Sequence, residues 1–204
     1  MKVVDRIFKK NKSYWMEHNV TLHQQFTDAN ASLNYFHWRN AQYHNYIELM
    51  PVHGLDGRAI LDYGCGPGND LVGFWHYSKP SHLVGLDVSD SSLAEARARL
   101  SLHGADIQLV NGGIGNRRLP FDDGSFDYIH CSGVLHHLPN PDDIMEEFKR
   151  ILKPQGRIRV MVYNYDSLWL HLYVAYIKQI VEGLYTDCDI RQAFSRTTDG
   201  ESCP

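Results

Sequence analysis

Short apolar runs alternate with helical patterns from residue 58 to residue 163, and this alternation limits the fold more than any other feature of the chain. Runs at 58–63, 82–88, 106–110, 126–131 and 157–163 have the length and side-chain content of strands. Helical patterns at 69–77, 91–102 and 141–152 separate them. The last is the best signalled: Asn140 precedes it as a cap and Pro141 suits its first turn. Asp142 and Asp143 complement its positive end, and Lys149, Arg150 and Lys153 its negative end. Strands joined through helices run parallel, with helices on both faces, so the chain is predicted to be an α/β protein with a doubly wound, mostly parallel sheet. Such sheets take ligands at the carboxyl ends of their strands, where the strand order reverses.

The segments on either side of this core read differently. Residues 1–57 are rich in aromatics and histidine and are expected to form a helical cap or lid over residues 58–164. Phe36, Tyr43 and Ile47 follow helical spacing there. Tyr14, Trp15, Phe36, Trp38 and Arg39 are candidates to line a second ligand site, and a plain core role suits each equally well. Residues 165–204 read as one helix at about 168–184 followed by a polar tail. No sixth or seventh strand is legible, and a truncated chain is the expectation.

The turn after the first strand carries the sharpest chemical signal: Leu61-Asp62-Tyr63-Gly64-Cys65-Gly66-Pro67-Gly68. Glycines let the backbone turn tightly and approach a ligand without a Cβ. The turn lacks the Lys and Ser/Thr of a P-loop, and its G-x-G-x-G spacing is not that of a dinucleotide site. Asp62 stands where a carboxylate can hold an ammonium group and where it would repel a pyrophosphate. Asp87 closes the second strand, where an acid accepts the two hydroxyls of a ribose. Taken alone, Asp87 would serve equally as a helix cap.

Five segments resemble class I S-adenosylmethionine-dependent methyltransferases of the ubiquinone and menaquinone methyltransferase-like group. They are the turn from Asp62 to Gly68, the acid Asp87, Leu119-Pro120-Phe121 with Ser125-Phe126-Asp127, Val134-Leu135-His136-His137-Leu138, and Leu152-Lys153-Pro154-Gln155-Gly156. The resemblance covers about half the chain. It implies a Rossmann-like fold, S-adenosylmethionine as cofactor, S-adenosylhomocysteine as product and in-line methyl transfer. It places Asp62, Gly64, Cys65, Gly66, Gly68, Asp87, Val88, Gly113, Ile114 and Cys131 at the cofactor, and His136 at the methyl acceptor. His137 is read as packing its loop. One departure stands out: Asn111-Gly112-Gly113 lacks the acid that the family often places beside the adenine amine.

Bulk composition narrows the partners. The chain has 20 basic and 24 acidic residues, for a net charge of −4, which gives no footprint for nucleic acid. No apolar run approaches the length of a membrane span and no signal peptide is legible, so a cytoplasmic protein is expected. Cys65, Cys131, Cys188 and Cys203 form no metal or disulfide pattern, and the 12 histidines are scattered, so no metal is expected. A small-molecule acceptor is the expectation, and the oligomeric state stays open, homo-oligomers included. Two alternatives remain: a module that binds the cofactor without transferring methyl, and a nicotinamide-dependent oxidoreductase on a similar sheet.

Overall fold

The structure, a computed structural model, describes residues 12–19, 21, 23–112 and 118–199. The chain divides into two compact units, residues 1–162 and 163–204. In the first, a helical turn at 12–17 (α1) leads to α2 (Ala29–Ala41) and the short α3 (Tyr46–Leu49). Then come β1 (Ala59–Tyr63), α4 (Asn69–Tyr77), β2 (His82–Asp87), α5 (Asp90–Leu102), β3 (Gln108–Asn111) and β4 (Phe126–Ser132). A 3₁₀ turn at Leu135–His137, α6 (Pro141–Ile151) and β5 (Leu152–Met161) complete it. The five strands form one sheet in the order β3-β2-β1-β4-β5. Every neighbouring pair is parallel. The order reverses between β1 and β4, so a crevice opens above the carboxyl ends of those two strands.

Alternation along each strand sorts the core into two layers. Leu61 and Tyr63 of β1 and Ile129 and Cys131 of β4 pack with Ile144, Phe148 and Ile151 of α6. Ile60 and Tyr128 point to the other face, with Leu71, Val72 and Phe74 of α4 and Leu93 and Leu100 of α5. Burying each such large apolar side chain contributes roughly 1.5–3 kcal/mol. The expected strands and helices are present with small shifts in their ends. Pro141 does open α6, but Asn140 makes no side-chain cap. β5 begins earlier than expected, at Leu152, and pairs with β4 through a register shift between Phe126 and Tyr128.

The segment before β1 is held on the α4–α5 face. Phe36 of α2 is buried in that layer with Val52. Arg99 of α5 donates from Nε to Ser32 Oγ at 2.7 Å and from its terminal nitrogen to Ser32 O at 2.9 Å and Asn69 Oδ1 at 3.2 Å. Phe26 lies over its guanidinium, 4.5 Å from ring centre to Cζ. Burial, reinforced by the charge of Arg39, pulls the pKa of Arg99 down to about 10. The segment is helical as expected, but Phe36, Tyr43 and Ile47 do not share one helix. Asn45 adopts a left-handed conformation (φ 54°), and Tyr43 sits exposed in the turn between α2 and α3. Local spacing did not register that break.

In the second unit, residues Trp169–Val181 wind as a π-helix. Hydrophobic spacing marks such a helix without distinguishing its wider turn from an α-helix. The expected polar tail contains a further helix, α7 (Ile190–Thr198). Asp189 caps it, accepting from Arg191 N and Gln192 N at 2.9 Å. Among the described residues no strand follows β5, and no helix is long and apolar enough to cross a membrane.

Gly73 tests how closely α2 packs on α4. A Cβ there would lie 2.5 Å from the Phe36 ring and 3.0 Å from Val52 Cγ2. Alanine improves helix propensity by about 1 kcal/mol, whereas forcing atoms into a filled core costs about 1–3 kcal/mol. Both neighbours are almost fully buried and have little room to yield. Gly73→Ala is expected to lower stability by up to about 2 kcal/mol net in urea unfolding.

Candidate functional site

A cleft of about 940 Å³, counting its open mouth, lies above the carboxyl ends of β1, β2 and β4. Its floor is the glycine turn. Gly64, Gly66 and Gly68 all have positive φ, between 50° and 80°. The three serve different ends. A Cβ on Gly64 would stand 2.3 Å from Val134 Cγ2, so that glycine lets the loop after β4 close down on the turn. A Cβ on Gly68 would meet the Ala96 Cβ at 3.2 Å, so that one sets the approach of α4 to α5. Gly66 has open space where its Cβ would be, leaving bare backbone in the cleft wall.

The N–H groups of the turn are already engaged. Gly64 N and Cys65 N both donate to Leu86 O, at 2.7 and 3.0 Å, and Gly68 N donates to Cys65 O at 3.0 Å. Gly66 N donates to Asp87 Oδ2 at 2.8 Å, and Pro67 has no N–H. The other oxygen of Asp87 accepts from Ser89 N at 2.8 Å. Ser89, not Asp87, caps α5, through Ser92 N at 3.2 Å. A phosphate cradle needs several free N–H donors aimed at one point. From Gly64 to Gly68 this turn offers none, and it is flanked by two carboxylates.

The inner end of the cleft carries a charged web. Asp62 and Asp70 both line it and are 3% and 7% exposed. Asp70 Oδ2 is 3.3 Å from His130 Nε2 and accepts from Tyr46 Oη at 3.2 Å. Tyr46 Oη lies 2.7 Å from Ser132 Oγ, which faces the cleft. Arg39 lines the same end, with one nitrogen 3.8 Å from Asp70 Oδ1 and its Cζ 4.8 Å from the Tyr46 ring centre. Burial raises the carboxyl of Asp70, but hydrogen bonding from His130 and the charge of Arg39 outweigh it and hold that carboxyl well below its usual range. Asp62 goes the other way. Burial first, then the charges of Asp70 and Asp87, push it up to about 7 against the opposing His130 and Arg39. Burial also raises Asp87.

Residues 60–156 match a family model described as methyltransferase domain. That stretch, just under half of the chain, is similar to this family. It is 36% identical over 126 residues to an uncharacterized methyltransferase of Schizosaccharomyces pombe, covering 59% of this chain and 45% of that protein. It is 28% identical over 141 residues to the demethylmenaquinone methyltransferase of Listeria monocytogenes, covering 66% and 57%. The crystal structure of an S-adenosylmethionine-dependent methyltransferase from Aquifex aeolicus superposes with a TM-score of 0.50 at 20% identity, over 66% of this chain and 74% of that one. That likeness concerns the fold alone, a parallel sheet with flanking helices. The chain spans about half the length of these curated relatives.

Asp62, Gly64, Cys65, Gly66, Asp87 and Val88 meet at the cleft, as does Gly112. Gly113 and Ile114 lie outside the described residues. Gly68 stands behind the wall, under α5. Cys131 is fully buried in the α6 layer, and its neighbour Ser132 takes the cleft position. His136 is exposed and does not line the cleft; His137 does, with Trp15 edge-on to its ring at 5.0 Å. Of the aromatic candidates, Trp15 lines the cleft, Phe36 is core and Trp38 is 59% exposed. Sequence reasoning missed Asn19, Asp70 and His130. A signal existed for the last two: Asp70 sits in the first turn after the glycines, and His130 holds an otherwise apolar strand position beside Tyr128.

Two outcomes follow from these environments. An acid whose folded pKa exceeds its unfolded value is bound to its proton more tightly when folded, so stability falls as pH rises between the two values. For Asp62 that window runs from the ordinary value of 3.8 to about 7. Asp87 acts in the same sense, and Asp70 in the opposite sense but only below the usual carboxylate range. Unfolding stability is therefore expected to drop by on the order of 2–4 kcal/mol between pH 4.5 and 7.5. Asp62→Asn should flatten that slope in urea titrations. Separately, burial pushes the thiols of Cys65 and Cys131 up, whereas Cys188 is half-buried. Iodoacetamide is expected to label Cys188 well before the other two in the native protein, read by peptide mass spectrometry.

Proposed function

We propose that the protein transfers the methyl group of S-adenosylmethionine to a small-molecule acceptor. One observation carries this reading: the glycine turn has its N–H groups engaged inside the protein and presents two carboxylates instead. Such a wall suits a ligand with a cationic end and a sugar diol and disfavours a pyrophosphate, which argues against the nicotinamide alternative. Bare backbone at Gly66 supplies the close approach that a nucleoside needs.

Asp62 is the group to receive the ammonium, and Asp87 the ribose hydroxyls. Each oxygen of Asp87 keeps a lone pair beyond its backbone bond. Val88 and Gly112 line the wall on the side where the base would lie. When bound, S-adenosylmethionine supplies a methyl group already activated on a sulfonium, so positioning of the nucleophile is the main task of the protein. Ser132, His137 and Arg39 border the inner end of the cleft and are the groups available to orient an acceptor. Trp15 and Asn19 also line the cleft, Trp15 against His137, and would help to exclude water from a bound acceptor. A net charge of −4 favours a small acceptor over nucleic acid, although one relative is a tRNA U34 carboxymethyltransferase of Campylobacter curvus, 29% identical over 110 residues, with matched regions covering 54% of this chain and 36% of that protein.

S-adenosylhomocysteine at a hundred times its dissociation constant is expected to stabilise the protein by about 2.7 kcal/mol, with NAD giving no shift in melting temperature. Asp87→Ala should weaken S-adenosylhomocysteine binding at least about 10-fold, the scale of one lost charged hydrogen bond. Cys65→Ala should leave it within about twofold, since burial removes the thiol from ligand chemistry. Calorimetric titration decides, and equal losses in the two variants would overturn the assignment of the turn. Release of label from methyl-labelled cofactor across an acceptor panel separates transfer from mere binding.

A further inference from the structure

The α4 face of the sheet ends, at the cleft, in ionisable rather than apolar side chains. Ile60 and Asp62 share that face of β1, and their register partners Tyr128 and His130 share it on β4. Register partners on adjacent strands stand side by side, with the strands about 4.8 Å apart. His130 is fully buried, with the Phe74 ring edge-on at 5.3 Å and Tyr128 at 6.3 Å. Its Nε2 meets Asp70, and its Nδ1 is buried with no hydrogen-bond partner among the described residues. An aliphatic side chain would fill this space without leaving a polar atom unmatched. What imidazole adds there is a hydrogen bond to Asp70 and, once protonated, a positive charge beside Asp62.

We propose that His130 is a positioning residue: as a buried imidazolium beneath the cleft floor, it keeps Asp62 ionised beside Asp70 and so ready for the ammonium group of the cofactor. This rests on the cofactor reading given above. The charges around it come from every side of the site. Asp62 of β1 and Asp70 of α4 favour the imidazolium, and Arg39 of α2 opposes it. Tyr46 of α3 hydrogen-bonds Asp70, and Asp87 of β2 adds to the repulsion on Asp62. Burial alone would discharge His130, but its bond to Asp70 and the two negative charges outweigh burial and raise its pKa. Asp62 is left balanced near neutrality, so the loss of one adjacent positive charge leaves it mostly protonated at pH 7.

The test is S-adenosylhomocysteine affinity as a function of pH, by calorimetry on the full chain. His130→Gln keeps a donor for Asp70 and removes the charge. Its affinity at pH 7 is expected to fall at least about fivefold, with the pH midpoint for binding raised by about one unit or more and wild-type affinity regained at higher pH. Adding Asp70→Asn removes the opposing charge and should bring the profile back toward wild type. A wild-type profile in His130→Gln, or an equal loss at every pH, overturns the proposal. Should that variant not fold, NMR titration of the His130 ring in the wild-type protein decides: its midpoint should lie above the ordinary imidazole value of 6.5, and a midpoint at or below it overturns the idea. Failure of the wild-type protein to bind S-adenosylhomocysteine at any pH would instead sink the cofactor reading, leaving the charge of His130 still measurable.

Discussion

The hydrogen bond from Gly66 N to the Asp87 carboxylate, with the two bonds from Gly64 and Cys65 to Leu86 O, fixes the turn on which the site is built. These bonds join the end of β1 to the end of β2 and aim the turn. They also decide its chemistry, because an N–H held by the protein cannot hold a phosphate. A fold used by many nucleotide enzymes thereby has, at this turn, two carboxylates and no phosphate cradle.

That wall is costly to build. Asp62, Asp70 and His130 lie where apolar side chains would pack with less penalty, and buried charges seldom stabilise a fold outright. Asp70 is satisfied by His130, Tyr46 and Arg39, whereas Asp62 has no such set and is raised toward neutrality. The burial cost thus falls mainly on one carboxyl, Asp62. Regions of this kind, where stability is given up locally, are common at binding sites.

Support comes from outside the site. Two apolar layers, around Phe148 on one face and Phe74 on the other, hold the strands in register. Arg99 ties α2 to α4 and α5 through Ser32 and Asn69. This places Arg39 over Tyr46 at the inner end of the cleft. Glycines act within the same scheme: Gly64 admits Val134 from the loop after β4, and Gly73 admits Phe36.

Much of this architecture was legible in the sequence, because strand and helix periods, the proline that opens α6 and the glycine turn are properties of neighbouring residues. Asp62 and Asp87 could be picked out for the same reason: each sits at a strand end whose position the local pattern sets. The break between α2 and α3, the π-helical winding and α7 were less legible, since they hang on one left-handed residue, on hydrogen-bond spacing and on one cap. Strand order was decided only in three dimensions. It puts β4 beside β1, and with it His130 beside Asp62, residues 68 positions apart in the chain. Only the folded chain could bring Asn19 and Arg39 to the same cleft, set Tyr46 against Asp70, or turn the Gly66 N–H inward to Asp87. Local pattern sets what each segment becomes; which charges meet is settled by packing between segments far apart in sequence.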